Sequence, residues 1–164
     1  MLRDKSLIPL SHQHQRALAL CVRIDRAQPI PAPDLEAWQA EIEQHFEQEI
    51  KFHFSAEEQV LFPAARRSLE LVPLVDELIA DHVRLRDLFS EAELRRMSSE
   101  SVPVLAQQLA AHIRKEERQL FERVQQLMSE KELADLGAQI ATALKDASQS
   151  CILPSQATRL KRRS

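Results

Sequence analysis

The apolar residues of this chain recur at helical spacing through four long segments. In the first, Leu10, His14, Ala17, Cys21 and Ile24 follow the i, i+4, i+7 progression of one helix face. The segments run from about Ser11 to Arg26, from Asp34 to Phe62, from Pro73 to Met97 and from Pro103 to Met128. Four long helices with short joins favour an up-down-up-down four-helix bundle.

Prolines and capping residues mark where these helices begin and end. A proline cluster at 29–33 ends the first helix, Asp34 is a good N-cap for the second, and Pro63 breaks or kinks it. Ser129 and Glu132 have the spacing of a capping box, which opens a short fifth helix that ends near Ala147. We therefore expect the bundle to occupy residues 1–147 and a flexible C-terminal tail to occupy residues 148–164.

Composition supports an all-α fold. The chain has a single Gly in 164 residues, which is too few for the turns of a β-rich fold. Its net charge of -3 gives no overall basic surface for nucleic acid, and no apolar stretch reaches the ~18 residues of a membrane span. Because the first ten residues lack the apolar run of a signal peptide, we predict a cytoplasmic protein. Cys21 and Cys151 are then expected to be reduced structural thiols rather than a disulfide or redox pair.

Each of the four segments carries one histidine within its apolar stripe. On the second and fourth segments a glutamate follows that histidine after four residues, on the same helix face. The set is His14, His53 with Glu57, His82, and His112 with Glu116. A buried ionised carboxylate is costly unless it is paired or coordinates a metal. Two such carboxylates among four histidines predict a cation site.

The glutamate-bearing segments are two copies of one motif. Residues 53–62 and 112–121 both read His-x-x-x-Glu-Glu-x-x-Leu-Phe. A single histidine on an apolar face is more often a hydrogen-bonded core residue, and a single His-x-x-x-Glu is more often a solvated pair. It is the coincidence of four stripes, four histidines and two carboxylates that favours metal.

Helical phase separates the remaining candidates. His45 lies about 80° around the helix from His53, which makes it a surface or boundary residue despite a His-x-x-x-Glu of its own, and His12 falls on the polar face. Glu58 and Glu117 lie one step beyond the inward glutamates, so we expect them to support a ligand from behind or to be exposed. Glu49 shares the face of His53 and is either a further ligand, a supporting residue or, as the commonest outcome, exposed.

At these motifs the chain resembles the hemerythrin-like, HHE cation-binding family over most of residues 7–128. The resemblance implies a four-helix bundle with two non-haem iron ions in an oxo- or hydroxo-bridged di-iron centre. Transferred by motif, it implies that the iron ligands are His14, His53, Glu57, His82, His112 and Glu116, with Glu57 and Glu116 bridging the metals.

The chain departs from the oxygen-carrying members of that family in two ways. Those proteins place two histidines four apart on the third helix, whereas Leu78 and Arg86 flank His82 here. Their fourth-helix carboxylate spacing would select Glu117, whereas helical phase selects Glu116. The missing histidine leaves a more open coordination site, which suits reaction with dioxygen, peroxide or nitric oxide better than faithful oxygen carriage.

Three functional hypotheses follow from the sequence. The first is a di-iron protein that binds or reduces a small oxidant. The second is a sensor in which iron or oxygen occupancy changes a partner surface. The third is a structural bundle, or one that binds a redox-inert metal such as zinc. Whether the chain forms a homo-oligomer is left open.

Overall fold

The computed structural model describes residues 2–145, which form five helices and no strand. Helix α1 spans Ile8–Arg26, α3 spans Val72–Glu93 and α5 spans Glu130–Ala143. Helix α2 runs through Leu35–His45, Phe46–Ile50, Lys51–Ala56, Glu57–Leu61 and Phe62–Ala65, and α4 runs through Ser101–Lys115, Glu116–Leu120 and Phe121–Leu127. None of these helices is long and apolar enough to cross a membrane. The tail predicted at 148–164 lies outside the described residues.

One departure from the predicted boundaries is at Pro63. The second helix was expected to break or kink there, but it continues to Ala65. Proline has no N–H to donate and its ring crowds the preceding turn. A wide π-helical turn, Glu57–Leu61, lies directly before it and absorbs that irregularity. Two shorter 3-10 turns, Ala32–Asp34 and Leu69–Leu71, lead into α2 and α3.

Two apolar cores lie on either side of the inward-facing histidines. One contains Trp38, Phe54 and Phe89, and the other contains Phe62 and Phe121. Along α1 and α3 the chain passes from the second core to the first, whereas along α2 and α4 it passes from the first to the second. On every one of these helices the change of core falls at the predicted site residues, so the polar cluster sits between two dry layers.

Helix α5 closes the second core and contains the chain's only glycine. Its N-terminus has the predicted capping box, in which the Ser129 side chain accepts from the Glu132 backbone N–H and the Glu132 carboxylate accepts from the Ser129 backbone N–H. Glycine normally costs about 1 kcal/mol inside a helix relative to alanine. At Gly137 a Cβ would lie 2.7 Å from the Cβ of Ser6, so the close approach of the N-terminal segment requires glycine.

Candidate metal centre

The six residues predicted from sequence converge at one place between α1, α2, α3 and α4. All are at most 4% exposed, and His82, Glu57 and Glu116 are completely buried. They form two overlapping groups whose nitrogen and oxygen atoms lie within 4.8 Å of one another. One group is His14, His53, Glu57 and Glu116, and the other is Glu57, His82, His112 and Glu116. Both glutamates therefore belong to both groups.

Each glutamate faces one histidine on its own helix and one on a different helix. Glu57 Oε1 lies 3.0 Å from His53 Nε2, and Glu57 Oε2 lies 3.3 Å from His82 Nε2. Glu116 Oε1 lies 3.3 Å from His112 Nε2, and Glu116 Oε2 lies 3.1 Å from His14 Nε2. Through its two oxygens, each carboxylate thus spans the two groups, and all four imidazoles direct Nε2 inward.

Local helix geometry affects where the paired glutamates of each motif point. Glu57 and Glu116 both begin a π-helical turn, Glu57–Leu61 on α2 and Glu116–Leu120 on α4. In a wider turn each residue rotates less about the helix axis, so the following side chain stays closer to the inward face. This brings Glu58 and Glu117 within reach of the cluster, where an ordinary α-helix would turn them farther away.

Every inward histidine also has an acceptor behind it, at Nδ1. Glu117 lies 2.7 Å from His14 Nδ1 and Glu58 lies 2.8 Å from His82 Nδ1. The other two acceptors are Gln13, 2.7 Å from His53 Nδ1, and Asp81, 3.5 Å from His112 Nδ1. Acceptors at Nδ1 favour the tautomer that carries its proton there, which leaves the Nε2 lone pair free to bind a metal.

In the absence of a cation, interactions within the cluster keep several of its side chains charged. Burial opposes protonation of His14, but Glu116 and Glu117 outweigh it and raise the pKa of His14 to about 9. Burial likewise opposes protonation of His112, and Glu116 and Asp81 raise its pKa to about 10. Although burial and their mutual repulsion oppose ionisation, the facing histidines lower the pKa values of both glutamates. Without metal, imidazolium groups at His14 and His112 therefore face the carboxylates of the two glutamates.

The donor set fits a metal ion. Both oxygens of Glu57, both oxygens of Glu116 and the Nε2 atoms of His14 and His53 are buried without a hydrogen-bond partner of good geometry, although charged neighbours lie within 4 Å. Buried polar atoms are normally hydrogen-bonded, and leaving one unpaired costs about 1–3 kcal/mol. Imidazole nitrogens with carboxylate oxygens are a donor set used for iron, zinc and manganese. Cations between the two glutamates would satisfy all six atoms.

The remaining sequence predictions divide. As predicted, His12 is exposed and His45 is a boundary residue, with its side chain 12% exposed and outside both groups. The expectation that Glu49 is exposed is wrong: it is buried and makes a bidentate ion pair with Arg16 of α1, at distances of 2.6–3.0 Å. The thiol of Cys21 is free and buried, and burial raises its pKa to about 12, which keeps it protonated and unreactive.

Sequence reasoning missed Gln13 and Asp81, the acceptors behind His53 and His112. Each directly precedes a predicted histidine, Gln13 before His14 and Asp81 before His82, and contacts the histidine of the next helix in the chain. The equivalent placement of these two residues in the two halves of the cluster is a pattern that the sequence contains. A polar residue at an inward position one step from a ligand was the available sign.

A small cavity adjoins one side of the cluster. It has a volume of about 10 Å³ and is lined by three of the histidines, His14, His53 and His112, together with Gln13 and Glu49 and an apolar wall of Ala17, Ile50, Phe54, Leu109 and Ile113. That volume is about the minimum that holds one water-sized molecule. His82 does not line it, and the ring of His82 stacks on Phe54 with centroids 3.9 Å apart.

The fold and the cluster together define an all-helical protein with a buried histidine–carboxylate cation site. Residues 9–124 match the family model described as the hemerythrin HHE cation-binding domain. The chain therefore belongs to that family. No curated protein and no solved structure gives a significant match to the chain.

Proposed function

We propose that this chain holds two iron ions in the cluster and uses them to bind or reduce a small oxidant: dioxygen, peroxide or nitric oxide. The observation that carries the proposal is the sharing of two buried carboxylates, whose oxygens accept no hydrogen bond, between two histidine pairs. Two carboxylates that each face both groups suit a pair of cations better than one cation. The ligands in this proposal are His14, His53, Glu57, His82, His112 and Glu116.

The protein's contribution is to hold and shield the donors. Iron, when bound, supplies the redox chemistry. The acceptors at Nδ1 orient the imidazoles and increase the basicity of Nε2. The apolar cores on both sides keep bulk water away, which strengthens the electrostatic interactions within the cluster.

The cavity limits the ligand to a few atoms. It lies beside Ala17, which follows His14 by three residues, whereas the larger Leu85 follows His82 by three residues. Ala17 lines the cavity, and Leu85 is a fully packed residue of the core. A space of this size admits only a very small ligand, and an organic substrate does not fit it.

We also infer that helices α1–α4 follow one another up, down, up and down. The support is the alternating order in which they pass between the two apolar cores. In this arrangement each helix contributes its site residues at the same level, with one histidine per helix.

The test is metal analysis with optical spectra on protein produced in iron-containing medium. The proposal expects about two iron ions per chain and a charge-transfer band that appears when peroxide or nitric oxide is added to protein prepared without oxygen. Glu116→Ala should lose iron, and His45→Ala, a histidine outside the cluster, should retain it. Folded protein without iron, or with selective retention of zinc in competition, would contradict the proposal and favour the redox-inert alternative.

A further inference from the structure

The two halves of the cluster offer their cations different support from behind. In the first half His14 and His53 are backed by Glu117 and Gln13. In the second half His82 and His112 are backed by Glu58 and Asp81. One acceptor is matched between the halves and the other is not.

The matched acceptors, Glu117 and Glu58, should not make the two halves differ in metal affinity. Glu117 is held by Arg3, at 2.6 Å, and Glu58 is held by Arg86, at 2.7 Å. Each is a partly buried carboxylate with one guanidinium partner and one imidazole partner, and Glu117 also accepts from the Ser11 hydroxyl at 2.7 Å. Their effects on the two halves should therefore be similar.

The unmatched acceptors differ in charge. Gln13 presents a neutral amide oxygen to His53 at 2.7 Å. Asp81 presents a carboxylate to His112 at 3.5 Å, a long contact through which its charge acts mainly as a field. Lys115 binds the same carboxylate oxygen at 3.0 Å and also pairs with Glu77, and Arg84 pairs with the other oxygen of Asp81. These cations weaken the field of Asp81, but its acceptor remains an ionised carboxylate, unlike the neutral amide of Gln13.

From this difference we infer that the two cation positions are unequal and that the His82–His112 position binds its cation first and more tightly. A carboxylate behind an imidazole makes its metal-binding nitrogen more basic, and loss of such a partner lowers metal affinity about 10–100-fold. Asp81 and Gln13 are positioning residues that act through His112 and His53. The inference rests on the proposed function only in requiring that the cluster holds two cations.

The test is titration of chelator-treated protein with Co²⁺, followed by its visible absorption bands. We expect two binding steps separated about tenfold in affinity, a size typical for a partner behind a metal-binding histidine. His53→Ala should retain the tighter step and His112→Ala the weaker one. Equal steps in the natural protein, or the reverse assignment in these variants, would overturn the inference.

Two reciprocal substitutions test the cause. Asp81→Asn should weaken the tighter Co²⁺ binding step and so remove the difference in affinity between the two steps. Gln13→Glu should strengthen the weaker step and so reduce the same difference. Matched controls are Asp76→Asn on α3 and Gln15→Glu on α1, both exposed, which should change neither step. An unchanged gap in Asp81→Asn, with folding verified by circular dichroism, would overturn the inference alone. A folded protein that binds no Co²⁺ at all would overturn the proposed function as well.

Discussion

The α1–α2 half and the α3–α4 half of the cluster carry the same donors and differ in what surrounds them. Each supplies two histidines and one shared glutamate. The first half has the neutral Gln13 and the small Ala17, where the second has the charged Asp81 and the larger Leu85. The histidine and glutamate donors, which are the same in both halves, determine that cations bind. The neighbouring residues, which are not the same, determine how the two halves differ.

The largest expected effect comes from the residues that the halves share. Glu57→Ala or Glu116→Ala removes a donor from both groups, so we expect loss of both cations. His53→Ala or His112→Ala removes a donor from one group only and should leave one cation bound. Metal analysis by mass spectrometry measures the number of metal ions per chain in each variant. If a glutamate variant keeps a cation as well as a histidine variant does, the carboxylates are not shared.

Substitution of the packing residue of either half, Leu85 or Ala17, should lower the free energy of unfolding. Leu85 is 1% exposed, and Leu85→Ala should lower the free energy of unfolding by about 3 kcal/mol, within the usual range for a buried leucine. Ala17→Leu copies the second half into the first and fills the cavity, at a cost of about 1–3 kcal/mol for overpacking. Urea unfolding of chelator-treated protein checks both values.

The Ala17→Leu variant also tests whether small ligands reach the cluster through the cavity. Ala17→Leu should slow binding of peroxide or nitric oxide by the iron-loaded protein, with iron content unchanged, whereas Ala17→Ser should bind at a rate near that of the natural protein. An unchanged rate in Ala17→Leu would show that small ligands reach the cluster by another route.

Acid and alkali should act on both halves of the metal-free protein. The pKa values of His14 and His112 are raised from 6.5 to about 9 and about 10, so their stabilisation is complete below pH 6.5 and is lost as the pH rises through those values. The pKa values of Glu57 and Glu116 are lowered from 4.5, so their stabilisation is present above pH 4.5 and is lost as the pH falls through the lowered values.

Thermal unfolding against pH measures this behaviour. His14→Gln and His112→Gln should each reduce the loss of stability in alkali, at about pH 9–10. Bound cation should suppress this alkaline loss, because metal-bound imidazole is already neutral. A metal-free protein whose melting temperature is constant from pH 7 to 11 would contradict this assignment of charge.

The smallest expected effect comes from the matched arginines. Arg3→Gln and Arg86→Gln each remove a partly exposed ion pair from a supporting carboxylate. Such a pair contributes about 0.2–1 kcal/mol, so its removal should change metal affinity by at most about fivefold. The Co²⁺ titration should show the Arg3 effect on the weaker step and the Arg86 effect on the tighter one. Effects of both variants on the same step would mean that the halves are not independent.

Much of the fold and of the convergence of the six residues could be predicted from the sequence, because helical periodicity fixes which side of a helix each residue faces. His45 and His53 have the same local motif, and phase alone separates the boundary residue from the inward one. Periodicity assumes regular α-helix, however. The π-helical turn at Phe46–Ile50 includes Glu49, which was expected to be exposed, and the turn at Glu57–Leu61 lets α2 pass Pro63.

The supporting residues were harder to predict for a different reason. Gln13 contacts His53 and Asp81 contacts His112 across helix–helix interfaces, and those contacts depend on how two helices are placed relative to each other. Phase along one helix carries no such information. The cavity beside Ala17 is likewise a property of several packed elements, since α1, α2 and α4 all contribute to its wall.

The central claim is that two cations share Glu57 and Glu116, one with His14 and His53 and the other with His82 and His112. Its most direct test is a crystal structure of the iron-loaded protein with anomalous scattering recorded at the iron edge. The account predicts two anomalous peaks between the two glutamates, each beside its own pair of histidines. A single peak, or peaks away from these carboxylates, would contradict it.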